Sequence, residues 1–130
     1  MLRYSTVSHG IIFKNCMKYL SIDPNTLQIA RDMQKNALCF YSKFQVGAAI
    51  QTEENQIVGG CNIESASYGL TICAERVAIF SALAQGYKKI THIALVTDTG
   101  SFPCGACRQI LYEFCKNAHI TIFSNIDIKK

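Results

Sequence analysis

The sequence predicts an α/β fold in which helices cover the faces of a central sheet. Apolar segments of strand length alternate with segments of helical periodicity, and their order is one helix followed by β-β-α-β-α-β. With 130 residues, 49% of them hydrophobic, the chain is long enough to bury one core without disulfides. We expect one domain over residues 23–130 and a poorly defined N-terminal extension over residues 1–22, which lack periodicity.

The first half of the chain predicts a helix and a hairpin. The helix begins at Asp23, which can cap it, with Pro24 at the first helical position, and is expected to reach about residue 38. Apolar strands follow at residues 44–52 and 56–63. A polar turn separates these two strands, which indicates a hairpin.

The second half alternates helix and strand. We predict helices over residues 73–85 and from 103 or 104 to about 116, with strands over residues 90–97 and 119–123. Gly86 ends the first of these helices, since glycine commonly follows the last helical turn. Five apolar residues of that helix are expected to face the core: Ala74, Val77, Ala78, Phe80 and Leu83.

Charge and composition argue against several classes of protein. The net charge of +4 comes from scattered residues, with no basic run between aromatics, so no nucleic-acid partner is expected. No apolar segment approaches a membrane span, and the apolar run before Lys14 is too short for a signal peptide. Seven cysteines, an odd number, indicate free thiols in a reducing cytoplasm. Met17 is a candidate alternative start.

Two cysteine motifs indicate a metal site. Cys104 and Cys107 lie three positions apart in a predicted first helical turn, so their sulfurs point the same way, and Cys73 begins another helix. Thiols at helix N-termini ionise readily because backbone dipoles favour negative charge there. Structural zinc usually has four protein ligands, whereas catalytic zinc has three and leaves a position for water. Three thiols beside Glu75 therefore predict an open zinc site with a proton-transferring carboxylate.

Either motif alone has other interpretations. Cys104 and Cys107 also suit a redox dithiol or half of a structural zinc site, and Cys73 alone suits a small core residue. The combination of C-A-E at 73–75 with P-C-x-x-C at 103–107 is more specific, because it is the signature of zinc-dependent deaminases in their three-cysteine form.

Residues 41–115 resemble the cytidine deaminase family, in its short-chain homotetrameric branch. The matching segments are YSKFQVGAAI, GGCNIE, ICAERVAIF and PCGACRQIL. The resemblance implies a three-layer α/β/α sandwich with a mixed central sheet, a homotetramer, and one Zn²⁺ per chain held by Cys73, Cys104 and Cys107. It also implies hydrolysis of cytidine and deoxycytidine to uridine and deoxyuridine with release of ammonia, in pyrimidine salvage, with Glu75 as the proton shuttle.

The resemblance also implies how a nucleoside is held. Phe44 packs on the pyrimidine, Asn62 and Glu64 hold a ribose hydroxyl, and the backbone N–H of Ala74 contacts the base carbonyl. Asn62 and Glu64 alternate along one strand face, so both can aim at one sugar. Phe44 also suits core packing, and Glu64 a solvated carboxylate at a strand end.

Two further residues receive auxiliary roles. Tyr68 matches a tyrosine near a neighbouring subunit's site, and Arg76 matches an arginine placed against a ligand sulfur. A cation there offsets the negative charge of three thiolates on one Zn²⁺, although Arg76 also suits a surface ion pair. The remaining cysteines and histidines are interpreted as core or surface residues: Cys16, Cys39, Cys61, Cys115, His9, His92 and His119.

Three other functions remain open at this stage. They are a deaminase of another small cytosine nucleoside such as blasticidin S, a polynucleotide-editing deaminase, and a non-catalytic zinc or thiol protein. The sequence also departs from the family at two places. Members usually continue past the final strand with a further strand and helix, where this chain reads SNIDIKK (124–130), and Phe102 stands where a small residue is frequent.

Overall fold

The structure is a computed structural model that describes residues 3–8 and 22–125. Five strands and three α-helices run through these residues in the following order: β1 (Arg3–Ser8), α1 (Pro24–Lys35), β2 (Gly47–Thr52), β3 (Ile57–Cys61), α2 (Ala74–Ala84), β4 (Ile90–Thr97), α3 (Gly105–Phe114) and β5 (His119–Ser124). A short 3₁₀ turn at Tyr68–Leu70 precedes α2. No helix within these ranges is long and apolar enough to cross a membrane.

The strands form one mixed sheet in the order β1-β5-β4-β2-β3. Strand β5 is parallel to both β1 and β4, whereas β2 is antiparallel to β4 and β3. Helix α1 packs on one face through Leu27 and Ala30, and Ala49 of β2 faces it. Helices α2 and α3 pack on the other face, toward Ala48 and Ile50. Because successive side chains of β2 point to opposite faces of the sheet, one core lies on each face. The predicted three-layer α/β/α sandwich with a mixed sheet is therefore confirmed.

The helix starts follow the local signals in the sequence. The Asp23 side chain accepts a hydrogen bond from the Asn25 N–H at 2.8 Å, so Asp23 caps α1 as predicted. Helix α1 ends at Lys35, earlier than expected, and β2 begins only at Gly47. The segment before β2 is held by side chains rather than by a strand partner, since Gln34 Nε2 donates to the Gln45 carbonyl at 3.0 Å.

Two expectations need correction. Phe80 does not face the core: it is 40% exposed, and the buried face of α2 consists of Ala74, Glu75, Ala78, Ile79 and Ala82. The sequence assigned no element to residues 1–22, yet β1 pairs with β5 along residues 3–8. A parallel edge strand depends on a partner distant in the chain, so its own residues carry a weak local signal. Met17 lies outside the described residues.

Helix α2 lies directly on β3 because position 60 has no side chain. A Cβ atom at Gly60 would lie 2.5 Å from the Ala78 nitrogen and 2.7 Å from the Ala74 carbonyl oxygen. Both neighbours are backbone atoms, so they cannot rotate away. Glycine at this position therefore sets how close α2, with Glu75 in its first turn, comes to the sheet.

We expect Gly60→Ala to lower the free energy of unfolding by about 1–3 kcal/mol, because the added methyl forces α2 off the sheet. Urea denaturation measures this change. Gly69→Ala is the matched control, since a Cβ at Gly69 meets nothing within 4 Å, and it should change stability by less than about 0.5 kcal/mol. Equal stability of the two variants would contradict the close approach.

Candidate functional site

Three cysteine sulfurs meet between the N-termini of two helices. Cys73 is the N-cap of α2, Cys104 is the N-cap of α3, and Cys107 is buried in the first turn of α3. The Cys104 sulfur lies 3.7 Å from that of Cys73 and 3.4 Å from that of Cys107, and all three lie within 4.8 Å of one another. The structure therefore brings together the two motifs that the sequence holds about thirty residues apart.

The spacing of these sulfurs suits one tetrahedral metal ion. Zinc–thiolate bonds of about 2.3 Å at tetrahedral angles place two sulfurs about 3.8 Å apart, close to the distances of 3.4 and 3.7 Å that Cys104 makes. Both Cys73 and Cys104 stand at helix N-termini, where backbone N–H dipoles stabilise thiolates. With three thiols and an adjoining cavity, the cluster matches an open zinc site rather than a closed one.

Arg76 and hydrogen bonding between the thiols favour ionisation of Cys73. A bond from Cys107 lowers the pKa of Cys73 to about 5, although burial opposes the shift, and the Arg76 guanidinium adds to the lowering. Arg76 Nη2 donates to the Cys73 sulfur at 3.5 Å. The same thiolate and burial raise the pKa of Cys107, because its ionisation would place a second negative charge beside the first.

Glu75 is a buried carboxyl group at the cavity. It lies in the first turn of α2, is 4% exposed and lines the same cavity as Cys73 and Cys104. Burial raises the pKa of Glu75, and the negative charge of Cys73 adds to that shift. A buried carboxyl group with a raised pKa beside a metal site can serve as a general base and then as a general acid.

A cavity of about 200 Å³ opens beside the cluster. Drug-sized pockets range from about 300 to 1,000 Å³, so this one suits a small ligand. Seven of the residues singled out in the sequence line it: Phe44, Asn62, Glu64, Tyr68, Cys73, Glu75 and Cys104. Ala74 and Cys107 are buried outside its lining, and Arg76 contacts the Cys73 sulfur instead.

Asn62 and Glu64 hold the chain segment that carries Phe44, a function that the sequence analysis missed. Asn62 Nδ2 donates to the Phe44 carbonyl at 2.7 Å, and Asn62 Oδ1 accepts from the Val46 N–H at 2.9 Å. Glu64 Oε1 accepts the backbone N–H groups of Tyr41 and Ser42, each at 3.0 Å. Asn62 and Glu64, which follow β3, therefore hold the segment that presents the half-buried Phe44 to the cavity.

Ser42 is a cavity residue that the sequence analysis did not single out. Hydrogen bonds from its hydroxyl and its backbone N–H lower the pKa of Glu64, which keeps that carboxylate ionised. The Ser42 hydroxyl also accepts the Phe44 N–H at 3.0 Å. Its position in the matched segment at 41–50 was the available signal. Four further lining residues come from β4 and the loop after it: Leu95, Thr97, Ser101 and Phe102.

The remaining cysteines and histidines of the described residues lie outside the cluster. Cys115 is buried, which raises its pKa to about 12, and Cys39 and Cys61 are half-buried. His92 and His119 pair across β4 and β5 with ring centroids 6.3 Å apart. Burial and the neighbouring His119 lower the pKa of His92. Cys16 and His9 lie outside the described residues.

Known proteins resemble this chain over most of its length. Residues 20–123 match a family model described as the cytidine and deoxycytidylate deaminase zinc-binding region. A cytidine deaminase of Sporosarcina psychrophila is 41% identical over 99 residues, which are 75% of this chain and 73% of that protein. One of Halalkalibacterium halodurans is 52% identical over 77 residues, only 58% of either chain. The match thus spans less than two thirds of that relative.

A solved structure agrees with the fold, and the family model describes a metal site. The crystal structure of a Burkholderia pseudomallei cytidine deaminase superposes with a TM-score of 0.76 at 40% identity, over 82% of this chain and 87% of that one. A blasticidin-S deaminase of Bacillus cereus is more distant, at 29% identity over 121 residues, 84% of this chain and 86% of that protein. The matched family model describes a zinc-binding region, so the predicted zinc cofactor is confirmed, and the three-cysteine cluster is suited to one such ion.

Proposed function

The chain belongs to the family of cytidine and deoxycytidylate deaminases, and we propose from this premise that it hydrolyses cytidine and deoxycytidine to uridine and deoxyuridine, releasing ammonia in pyrimidine salvage. The observation that carries the proposal is a buried carboxyl group, Glu75, in one small cavity with a three-cysteine cluster. Redox dithiols and structural zinc sites have no use for such a carboxylate, so the deaminase assignment explains more of the site.

Each component of the site has a place in this reaction. Cys73, Cys104 and Cys107 would hold the zinc ion, which would supply the acidification of a water molecule in the cavity. Glu75 accepts a proton from the attacking water and delivers it to N3 of the pyrimidine while the water oxygen adds to C4. Glu75 then takes the proton of the new C4 hydroxyl and transfers it to the amine as the C4–N bond breaks, so water and cytidine balance uridine and ammonia.

The proposed substrate contacts use residues in and beside the cavity. We assign the pyrimidine to the ring of Phe44 and the base carbonyl to the backbone N–H of Ala74, since N–H groups in the first turn of a helix have no intrahelical acceptor. Glu64 accepts its two backbone bonds at Oε1, and we assign a ribose hydroxyl to this carboxylate and to the second N–H of Asn62. Tyr68 is assigned to a neighbouring subunit's site.

Loss of absorbance near the cytidine maximum tests this function directly. Three-thiolate sites of this geometry hold one ion, so the purified protein should contain about one zinc per chain. In that form it should deaminate cytidine and deoxycytidine. Turnover of blasticidin S without turnover of cytidine would favour the related nucleoside deaminase. Zinc without any turnover would support the non-catalytic alternative.

We also propose a homotetramer in a reducing cytoplasm. Several large apolar side chains are exposed in the single chain, including Phe40 at 68%, Tyr68 at 70% and Leu70 at 70%, and such patches are typical of subunit interfaces. Three thiols within 3.4–3.7 Å of their neighbours remain available for zinc only where disulfides do not form. Light scattering after gel filtration measures the mass of the assembly, and a monomer would contradict the tetramer.

Arg76 is proposed to strengthen zinc binding through the Cys73 sulfur. Arg76→Gln removes the cation 3.5 Å from that sulfur, and we expect zinc affinity to fall about 10–100-fold, as for other partners of metal ligands. Competition with a chromophoric chelator measures the affinity. Arg108→Gln is a comparison within α3, where the side chain bonds the Pro103 carbonyl instead of a sulfur. Equal affinity of the Arg76 variant and the unmodified protein would refute the proposal.

A further inference from the structure

Thr97 ends β4 at the wall of the cavity. It is 1% exposed, and both Thr97 and Leu95 line the cavity. Residues two apart on a strand share a face, and Leu95 packs with the core under α2 and α3. The Thr97 side chain therefore lies at the carboxyl end of a central strand, on the face that carries the site.

The Thr97 hydroxyl fixes the turn that follows the strand. Its oxygen accepts the backbone N–H of Gly100 at 2.7 Å and that of Ser101 at 3.0 Å. Gly100 has a φ of +72°, which favours glycine, and a Cβ there would lie 3.3 Å from the Ser124 Cβ. The turn thus closes tightly over one buried oxygen.

This turn places the two cavity residues that precede the second cysteine motif. Ser101 and Phe102 both line the cavity although their side chains are largely exposed to solvent. The start of the loop has its own support, since Ser124 Oγ donates to the Asp98 carbonyl at 2.9 Å and Asn125 Nδ2 bonds Asp98 Oδ1 at 3.2 Å. At the other end of the loop, the Thr97 oxygen bonds the backbone of Gly100 and Ser101.

We propose that Thr97 is a positioning residue for substrate binding: its hydroxyl holds the turn 97–101 so that Ser101 and Phe102 form one wall of the nucleoside cavity. The proposal rests on the deaminase function. Cys104 is the N-cap of α3 and Cys107 lies in its first turn, so we expect the metal site not to depend on this turn. Loosening the turn therefore affects substrate affinity more than chemistry or zinc content.

Thr97→Val tests the hydroxyl at nearly constant shape, and Thr97→Ser restores the oxygen without the methyl group. With two hydrogen bonds removed, we expect KM to rise about 10-fold while kcat changes less and zinc stays bound. Thr97→Ser should restore KM. The matched control is Thr91→Val in the same strand, which removes a bond to the Gln51 carbonyl at 3.1 Å, far from the cavity, and should leave KM unchanged.

Hydrogen–deuterium exchange separates this proposal from the proposed function. In the zinc-loaded protein, the peptide containing residues 98–102 should exchange about 10-fold faster in Thr97→Val than in the unmodified chain or in Thr97→Ser. An unchanged KM and exchange rate in Thr97→Val would overturn the proposal, as would equal defects in the Val and Ser variants. An inactive unmodified enzyme would contradict the deaminase function, and the exchange rates would still decide whether Thr97 holds the turn.

Discussion

Replacing Glu75 by glutamine is expected to lower kcat for cytidine by about 10²–10⁴-fold, the usual contribution of a positioned acid–base group. Glutamine has nearly the same shape as glutamate and fits the same buried place, 4% exposed at the first turn of α2. It cannot accept a proton from water or carry one to the pyrimidine ring. Steady-state kinetics, with zinc determined in parallel, measure the effect.

The controls separate chemistry from folding and metal loss. The Glu75 variant should keep its zinc, because the three sulfurs of the cluster remain in place. Glu113→Gln is a matched control on the exposed side of α3 and should retain full activity. Turnover by Glu75→Gln at the rate of the unmodified enzyme would end the proposed mechanism, whereas loss of zinc would assign Glu75 to the metal site instead of proton transfer.

Replacing Cys107 by serine is expected to abolish both zinc binding and activity. Its sulfur is buried and lies 3.4 Å from that of Cys104, so a shorter and harder hydroxyl oxygen leaves the cluster with two thiolates. Loss of a residue that only supports a metal ligand lowers metal affinity by up to about 100-fold. Loss of the ligand itself should therefore lower zinc affinity by more than about 100-fold. Because metal binding stabilises the folded state, the Tm should also fall.

Cys115→Ser distinguishes metal loss from the cost of a buried hydroxyl. Cys115 is as buried as Cys107, at 1% against 0% exposed, but lies outside the cluster. It should lose some stability and keep zinc and turnover. Chelation of the unmodified enzyme should reproduce the lower Tm of Cys107→Ser, and a chelator should not lower the Tm of that variant further. Full zinc content in Cys107→Ser would contradict the assignment of this ligand.

Much of the site could be predicted from sequence because its residues lie close together along the chain. Cys104 and Cys107 share a helical turn, and Glu75 lies two residues from Cys73, so their spacing alone implies proximity. Helix α1 likewise begins where Asp23 and Pro24 predict, because an N-cap is a contact between near neighbours. The resemblance supplied the link between the two motifs, which lie on separate helices.

Long-range contacts explain what the sequence did not reveal. Phe80 was expected in the core. The sheet packs against the side of α2 that carries Ala78 and Ala82, so Phe80 is left 40% exposed. Strand β1 becomes a strand by pairing with β5 at the far end of the chain. Neither outcome follows from local periodicity, which identifies an apolar face without naming its partner.

The sequence by itself predicted the order of elements from α1 to β5, the three-thiol metal site and the adjoining carboxylate, since each depends on residues close along the chain or on a specific motif. Only the tertiary structure decided how the cavity is built. It showed that Asn62 holds the segment of Phe44, and that Thr97 holds the turn of Ser101. Both contacts are made to backbone groups of irregular segments, where no helix or strand periodicity indicates which residue a side chain binds.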